Sequence, residues 1–181
     1  MKMFSKSLIA LGMLSAVSVS HASEGFYVGA NIGQANYDAV LDDFSDLQDG
    51  SLFAASLDDS DTSLSLTFGY QLNPNVAFEG GYIDLGELVV SATSAGGGFL
   101  YAAGPVTAKV SADGLFFDVK GLLPLNEQFS LYGKLGLLKW SEEGTLSDST
   151  GSLSGDDDGT DIFFGVGASF NINHNISINA D

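Results

Sequence analysis

Six stretches of this chain alternate apolar with small or polar residues at period two: Gly25–Asn36, Thr62–Leu72, Val76–Glu87, Asp113–Leu123, Phe129–Trp140 and Asp161–Asn171. That period is the signature of β-strands with two chemically different faces. In Thr62–Leu72, Leu64, Leu66, Phe68, Tyr70 and Leu72 share one face, against Ser63, Ser65, Thr67, Gly69 and Gln71. The connections alternate as well. Asn73–Asn75, Pro124–Gln128 and Asn171–Asn175 are short and rich in turn residues, whereas Tyr37–Asp61, Leu88–Ala112 and Ser141–Thr160 are long. Tight turns at one end and long loops at the other describe an antiparallel up-and-down meander. Three loops of that length are unusual in a compact soluble domain.

The polar face says which solvent the sheet meets. It is built mainly of Gly, Ser, Thr, Ala and Asn, and Glu79, Asp118, Lys120 and Lys134 are nearly all of its charges. A water-facing sheet carries far more Lys and Glu. Small residues instead suit the narrow bore of a barrel of about eight strands. The continuous Leu, Val, Phe and Ile face suits hydrocarbon. About ten residues at about 3.3 Å each, tilted about 45°, rise roughly 23 Å, the height of an outer-membrane apolar band. A secreted, soluble ligand-binding barrel would bury the apolar set instead. Phe26, Tyr70, Phe129, Trp140 and Phe170 lie near strand ends, where interfacial aromatics are expected.

The start of the chain reads as an export signal, residues 1–22. Lys2 and Lys6 form a basic segment, Leu8–Val19 is apolar, and Ser20-His21-Ala22 offers a small-residue cleavage site, so the mature chain is expected to begin near Ser23. No later apolar run reaches about 18 residues, which excludes a spanning helix. With 23 acids, six lysines and no arginine, the chain is not built to neutralise nucleic-acid phosphates. Its lack of cysteine rules out disulfides and Cys-ligated zinc.

The segments "GFYVGANIG" at 25–33, "FGYQLNPNVAFEGGYIDLG" at 68–86, "KGLLPLNEQFSLYGKLGLLKW" at 120–140 and "FGVGASFNINHNISINAD" at 164–181 resemble the transmembrane barrel of OmpA-type outer-membrane proteins. The resemblance implies an all-β, up-and-down transmembrane β-barrel of eight strands over residues 23–181, with short periplasmic turns and long surface loops. About six and a half strands are counted, the seventh beginning at Ile176, so the barrel domain is expected to be incomplete at its C-terminus. The resemblance also implies a charged network across the lumen, matched by Glu79, Lys120 and Lys134, with Asp118 on the same face. Asn179 stands where such barrels often carry arginine. Glu79 is expected to pair with Lys120 at similar depth, with Lys134 as a second partner, because a buried charge needs one.

The function expected is an integral outer-membrane barrel with a structural or surface-contact role and a narrow, gated, ion-conducting lumen. Its expected partners are outer-membrane lipid, lipopolysaccharide and the barrel-assembly machinery. The first and third long loops hold more than half of the acids: Asp38, Asp42, Asp43, Asp46, Asp49, Asp58, Asp59 and Asp61, then Glu142, Glu143, Asp148, Asp156, Asp157 and Asp158. Divalent cations bridging these loops to lipopolysaccharide are a further expectation. No dedicated metal site is read, because an EF-hand register over Ser154–Gly165 ends on glycine where a bidentate Glu is required. The middle loop contains Phe99-Leu100-Tyr101, a contact patch or a hairpin extension. The alternative, a lipid-modifying barrel enzyme, needs a histidine at the outer leaflet, and His174 falls in a periplasmic turn. No catalytic residues and no cofactor are assigned.

Overall fold

The computed structural model describes residues 8–19, 25–38, 50–58, 60–98, 100–173 and 175–181, with the backbone alone for 8–19 and 37–38. Lys2, Lys6, the cleavage site at 20–22, Asp42, Asp43, Asp46, Asp49, Asp59, Phe99 and His174 lie outside the described residues. The strands are β1 (Leu8–Val19), β2 (Gly25–Asp38), β3 (Leu52–Asp58), β4 (Ser60–Asn73), β5 (Val76–Ser94), β6 (Gly104–Pro124), β7 (Phe129–Ser147), β8 (Ser152–Asn171) and β9 (Ile176–Ala180). They form one antiparallel sheet, ordered β3-β5-β4-β2-β1-β9-β8-β7-β6, in which β6 also pairs with β5. Apart from β3, which pairs with β5, the strands from β2 onward form an up-and-down meander with β2 and β9 at its two ends. The apolar segment expected to be a signal lies between those ends as β1, in register with both. A short apolar run suits a strand as well as a helix, so backbone partners decide its form.

The six strands read from the sequence are all present, with the tight turns where the sequence places them. One asparagine organises each turn. Asn73 Oδ1 accepts from the Asn75 N–H at 2.9 Å. Asn126 Oδ1 accepts from Gln128 and Phe129, and Asn173 Oδ1 from Asn175 and Ile176, all at 2.8–2.9 Å. A short amide side chain that bonds the backbone two residues on closes the chain on itself.

At the other end the structure departs from the expectation. Most of Leu88–Ala112 and Ser141–Thr160 is strand. The β5–β6 and β7–β8 ladders run on to Ser94–Gly104 and Ser147–Ser152. The first loop supplies β3, which pairs with the upper part of β5. The change of partner occurs at a bulge between Asp84 and Glu87, where Gly86 has φ +77°. Only glycine takes that conformation without strain. Asp84 Oδ1 accepts from Gly86 N–H, and Asp61 Oδ2 on β4 accepts from Glu87 N–H, which fastens the bulge.

Burial along the strands is inverted relative to a water-soluble barrel. On β4, Ser63, Ser65 and Thr67 are buried while Leu64, Leu66 and Phe68 are exposed. Phe26 and Phe164 are 83% and 85% exposed. The apolar rows Leu64–Leu72, Leu115–Leu123, Phe129–Leu137 and Ile162–Phe170 form a belt around the outside. Each is about nine residues long, roughly 20–25 Å when tilted, matching a bilayer's apolar thickness at the outer membrane.

Inside, the bore is filled by a repeated device. Tyr27, Phe116, Tyr132, Trp140 and Phe163 each stand directly across from a glycine: Gly69, Gly81, Gly167, Gly159 and Gly136 respectively. A side chain added at each of these glycines would meet the facing ring. At Gly81 it would also meet the Leu66 carbonyl, which is backbone and cannot swing aside. Gly81→Val is therefore expected to destabilise the barrel by about 3 kcal/mol, the upper end of overpacking costs. Urea unfolding in lipid vesicles measures this, and a loss below about 1 kcal/mol would show that the lumen has slack the packing does not suggest.

Candidate functional site: a charged cluster in the lumen

The inward rows of β2, β5, β6 and β7 bring Tyr27, Glu79, Asp118, Lys120, Tyr132 and Lys134 together. Glu79 is the hub, at 2% exposure. Its Oε1 accepts from the Tyr27 hydroxyl at 2.6 Å and from Lys120 Nζ at 3.2 Å. Its Oε2 lies 3.0 Å from Lys134 Nζ. Lys134 also lies 3.3 Å from Asp181 Oδ2, and the Tyr132 hydroxyl donates to Asp181 Oδ1 at 2.9 Å. The Lys120 ammonium stands 4.2 Å above the Tyr132 ring, a cation–π distance. Both lysines thus sit in a low-dielectric bore with their charge matched.

Glu79, Lys120 and Lys134 meet as the sequence suggested, but in a different register. Lys120 is directly opposite Ala77, one inward step nearer the tight turns, and reaches Glu79 diagonally. The residue directly opposite Glu79 is Asp118. Asp118 is 1% exposed, and neither of its carboxyl oxygens has a hydrogen-bond partner among the described residues. The sequence placed Asp118 on the right face without showing that it is the odd member. Tyr27 and Tyr132 were missed. Their signal was parity, since both fall on the small-residue face.

Of the five aromatics, four lie outside the barrel at the tight-turn end. Phe26 packs on Tyr70 at 5.0 Å between ring centroids, and Phe129 on Phe170 at 4.8 Å. Phe78 joins this end, directly across from Tyr70. Trp140 does not belong with them. It is on the inward row with Tyr132 and Lys134, over Gly159, and its Nε1 donates to Asp161 Oδ2 at 2.7 Å. Parity fixes this: Leu137 and Lys139 face out, so Trp140 faces in.

The far rim is ordered by Asp148 in the β7–β8 turn. Its Oδ1 accepts from the Thr150 hydroxyl and from the Thr150 and Gly151 N–H groups, and its Oδ2 from Ala102 N–H in the neighbouring turn. The hydroxyl and amide donors lower its carboxyl to about 2 from an ordinary 3.8. A depressed carboxyl stabilises the fold above its unfolded value and stops doing so as pH falls through its folded one. Amide protection at Ala102, Thr150 and Gly151 is expected to hold from pH 7 to about 4 and to fall between about 4 and 2. Hydrogen exchange measures it, and Asp148→Ala should lack that protection at every pH. Nearby, burial pushes the Glu142 carboxyl up, and Asp157, directly opposite, adds to this.

Comparison with known proteins accords with this architecture. Over 94 residues the chain is 30% identical to outer membrane protein A of Klebsiella aerogenes, a stretch covering 52% of this chain and 22% of that protein. The match thus spans about a fifth of that relative's length. The family model described as the OmpA-like transmembrane domain matches residues 21–181. The chain belongs to the OmpA-like transmembrane domain family.

Proposed function

We infer that this chain is a structural and surface-contact barrel of the outer membrane, with a narrow lumen that passes ions only when its charged cluster opens. The observation that carries this reading is the inverted burial: apolar rows facing out and an ion cluster of Glu79, Lys120 and Lys134 within. Charges at membrane depth are paired or functional, and here they close the bore. Residues 1–22 are read as the export signal on their basic and apolar pattern, so β1 belongs to the uncleaved chain alone. The aromatics at the tight-turn end sit at the periplasmic interface. The tall hairpins stand outside the cell, where their acids meet lipopolysaccharide through divalent cations.

The test combines location with current. The full-length protein is expected in the outer-membrane fraction with an N-terminus near Ser23, and in planar bilayers it should give rare, small openings. A steady porin-sized conductance, or recovery in the aqueous fraction without detergent, would overturn the reading.

A further inference from the structure

The face that carries apolar residues changes partway along the tall strands. On β6, within the outer belt, Leu115, Phe117 and Val119 face out, while Asp118 and Lys120 face in. Beyond Asp113 the same strand keeps its parity and reverses its chemistry. Val106, Ala108, Val110 and Ala112 are buried on the inner face, while Thr107, Lys109, Ser111 and Asp113 face out. An apolar face turned out in the belt and in above it marks where lipid gives way to water. Above that level the inner face has two walls. The β5–β6 wall is apolar, with Leu85, Leu88, Val110 and Ala112 buried. The β7–β8 wall carries Trp140, Glu142, Asp157 and Asp161.

Three consecutive inward rungs build the second wall. Leu138 faces Asp161 on the lowest, Trp140 faces Gly159 on the next, and Glu142 faces Asp157 on the third. Trp140 has a glycine on each side, Gly114 and Gly159, and its half-buried indole lies over Gly159. Carboxylates therefore stand on the rungs above and below the ring. Asp161 accepts from the indole N–H at 2.7 Å. Asp157 and Asp161 are exposed although they face in, so water reaches this wall. Glu142 is 8% exposed, directly opposite Ala112. It makes no hydrogen bond and no ion pair among the described residues, and the charge it faces is the like charge of Asp157.

The chain has no cation left for these three acids. Beyond the export signal its lysines are Lys109, Lys120, Lys134 and Lys139, and it has no arginine. Lys120 and Lys134 are held by Glu79, and Lys134 lies two inward rungs below Asp161, about 13 Å along the strand. Lys109 pairs with Glu87 on the outer face, where Lys139 also points. The amino terminus expected near Ser23 and His174 both fall in sequence beside the tight-turn end. A buried carboxylate keeps its charge only beside a counter-charge. Here that charge comes from outside the chain. None of the four wall residues is on β1, so the wall belongs to the chain with or without its export signal.

The wall's chemistry selects among cations. Calcium or magnesium needs several oxygens converging on one point. These acids are spread over three rungs, and no group of three acids fit to hold a metal is found among the described residues. A tryptophan face attracts a weakly hydrated organic cation. Ala112 and Val110, beside Glu142, offer apolar surface for its substituents. We propose that Trp140, Glu142, Asp157 and Asp161 form a binding site for an organic ammonium ion with apolar substituents, its charge beside the carboxylates and its body against Trp140 and Ala112. This goes beyond the lipopolysaccharide contact of the hairpins, which concerns the acids on their outer face, Glu143, Asp156 and Asp158.

Trp140 is the only tryptophan, so its fluorescence reports on the site alone. The full-length protein, folded in non-ionic maltoside micelles that carry no ammonium group, is titrated with benzyltriethylammonium chloride at constant ionic strength. Trp140 emission is expected to change saturably. Uncharged benzyl alcohol and magnesium chloride should produce no saturable change. Glu142→Gln should weaken binding by about tenfold or more, the loss of one close charge contact. Asp158→Asn, outward and next to Asp157, should bind as the wild type does. Absence of a saturable change in the wild type overturns the site, and so does the same change with benzyl alcohol or magnesium chloride. These arms need no variant to fold. Undiminished affinity in Glu142→Gln, or equal weakening in Glu142→Gln and Asp158→Asn, also overturns it, because the attraction is then diffuse. Neither location nor current enters the readout, so the site and the conduction reading fail separately.

Discussion

Glu79→Gln is expected to destabilise the barrel by about 3–5 kcal/mol, the cost of removing one partner from a buried ion pair. The size comes from what stays behind. Lys120 and Lys134 have side chains only 8% and 15% exposed, and Glu79 is the carboxylate they share. Without it Lys120 keeps the Tyr132 ring and Lys134 keeps Asp181, neither of which replaces a shared carboxylate. The Tyr27 hydroxyl keeps an amide oxygen as acceptor but loses the charge that shortened its bond to 2.6 Å. Asp118→Asn provides the contrast. It faces the same lumen at the same rung and is equally buried, but no hydrogen bond depends on it. Its removal is expected to be neutral or stabilising, because it relieves like-charge repulsion with Glu79. Equilibrium unfolding in urea with lipid vesicles compares the two. Equal losses would mean that the cluster does not discriminate between its carboxylates.

That contrast also marks the limit of the sequence. Period two assigns Glu79, Asp118, Lys120 and Lys134 to one face, because parity is local and survives any register. Which carboxylate holds the lysines depends on the offset between β5 and β6, and an alternating pattern repeats every two residues with little to fix that offset. Trp140 was misread because closeness to a strand end was weighed above parity. The upper halves of β5 and β6 were read as loops for two physical reasons. The bulge at Gly86 moves the inward set of β5 from odd positions, such as Ile83 and Leu85, to even ones, such as Leu88 and Val90. On β6 the phase holds but the solvent changes, so the apolar residues exchange faces at Asp113. A scan for one continuous apolar face stops at both places. The buried apolar cluster of Leu85, Leu88, Val110 and Ala112 lies at and beyond them, which is why nothing in the pattern announced it.

The polarity reversal makes the two halves of the same strands respond oppositely to charge, which leads to the second large effect. Leu135 is 62% exposed and lies within the outward row Phe129–Leu137, across from Val119 and Phe164. In a soluble protein an exposed leucine replaced by arginine changes stability by about 0.5 kcal/mol or less. Facing hydrocarbon near mid-depth, the guanidinium must be desolvated or drag water and headgroups inward, and the cost in outer-membrane barrels is about 2–4 kcal/mol. Leu135→Arg is therefore expected to lose about 2–4 kcal/mol in bilayers. Thr107→Arg, outward on β6 but above the reversal, is expected to lose less than about 0.5 kcal/mol in the same vesicles. Detergent micelles, which deform more readily around a charge, should shrink the gap between the two. The measurement is urea unfolding of each variant in vesicles, with the wild type alongside. A Leu135→Arg loss as small as that of Thr107→Arg would mean that the exposed apolar belt does not meet lipid, and the boundary drawn at Asp113 would go with it.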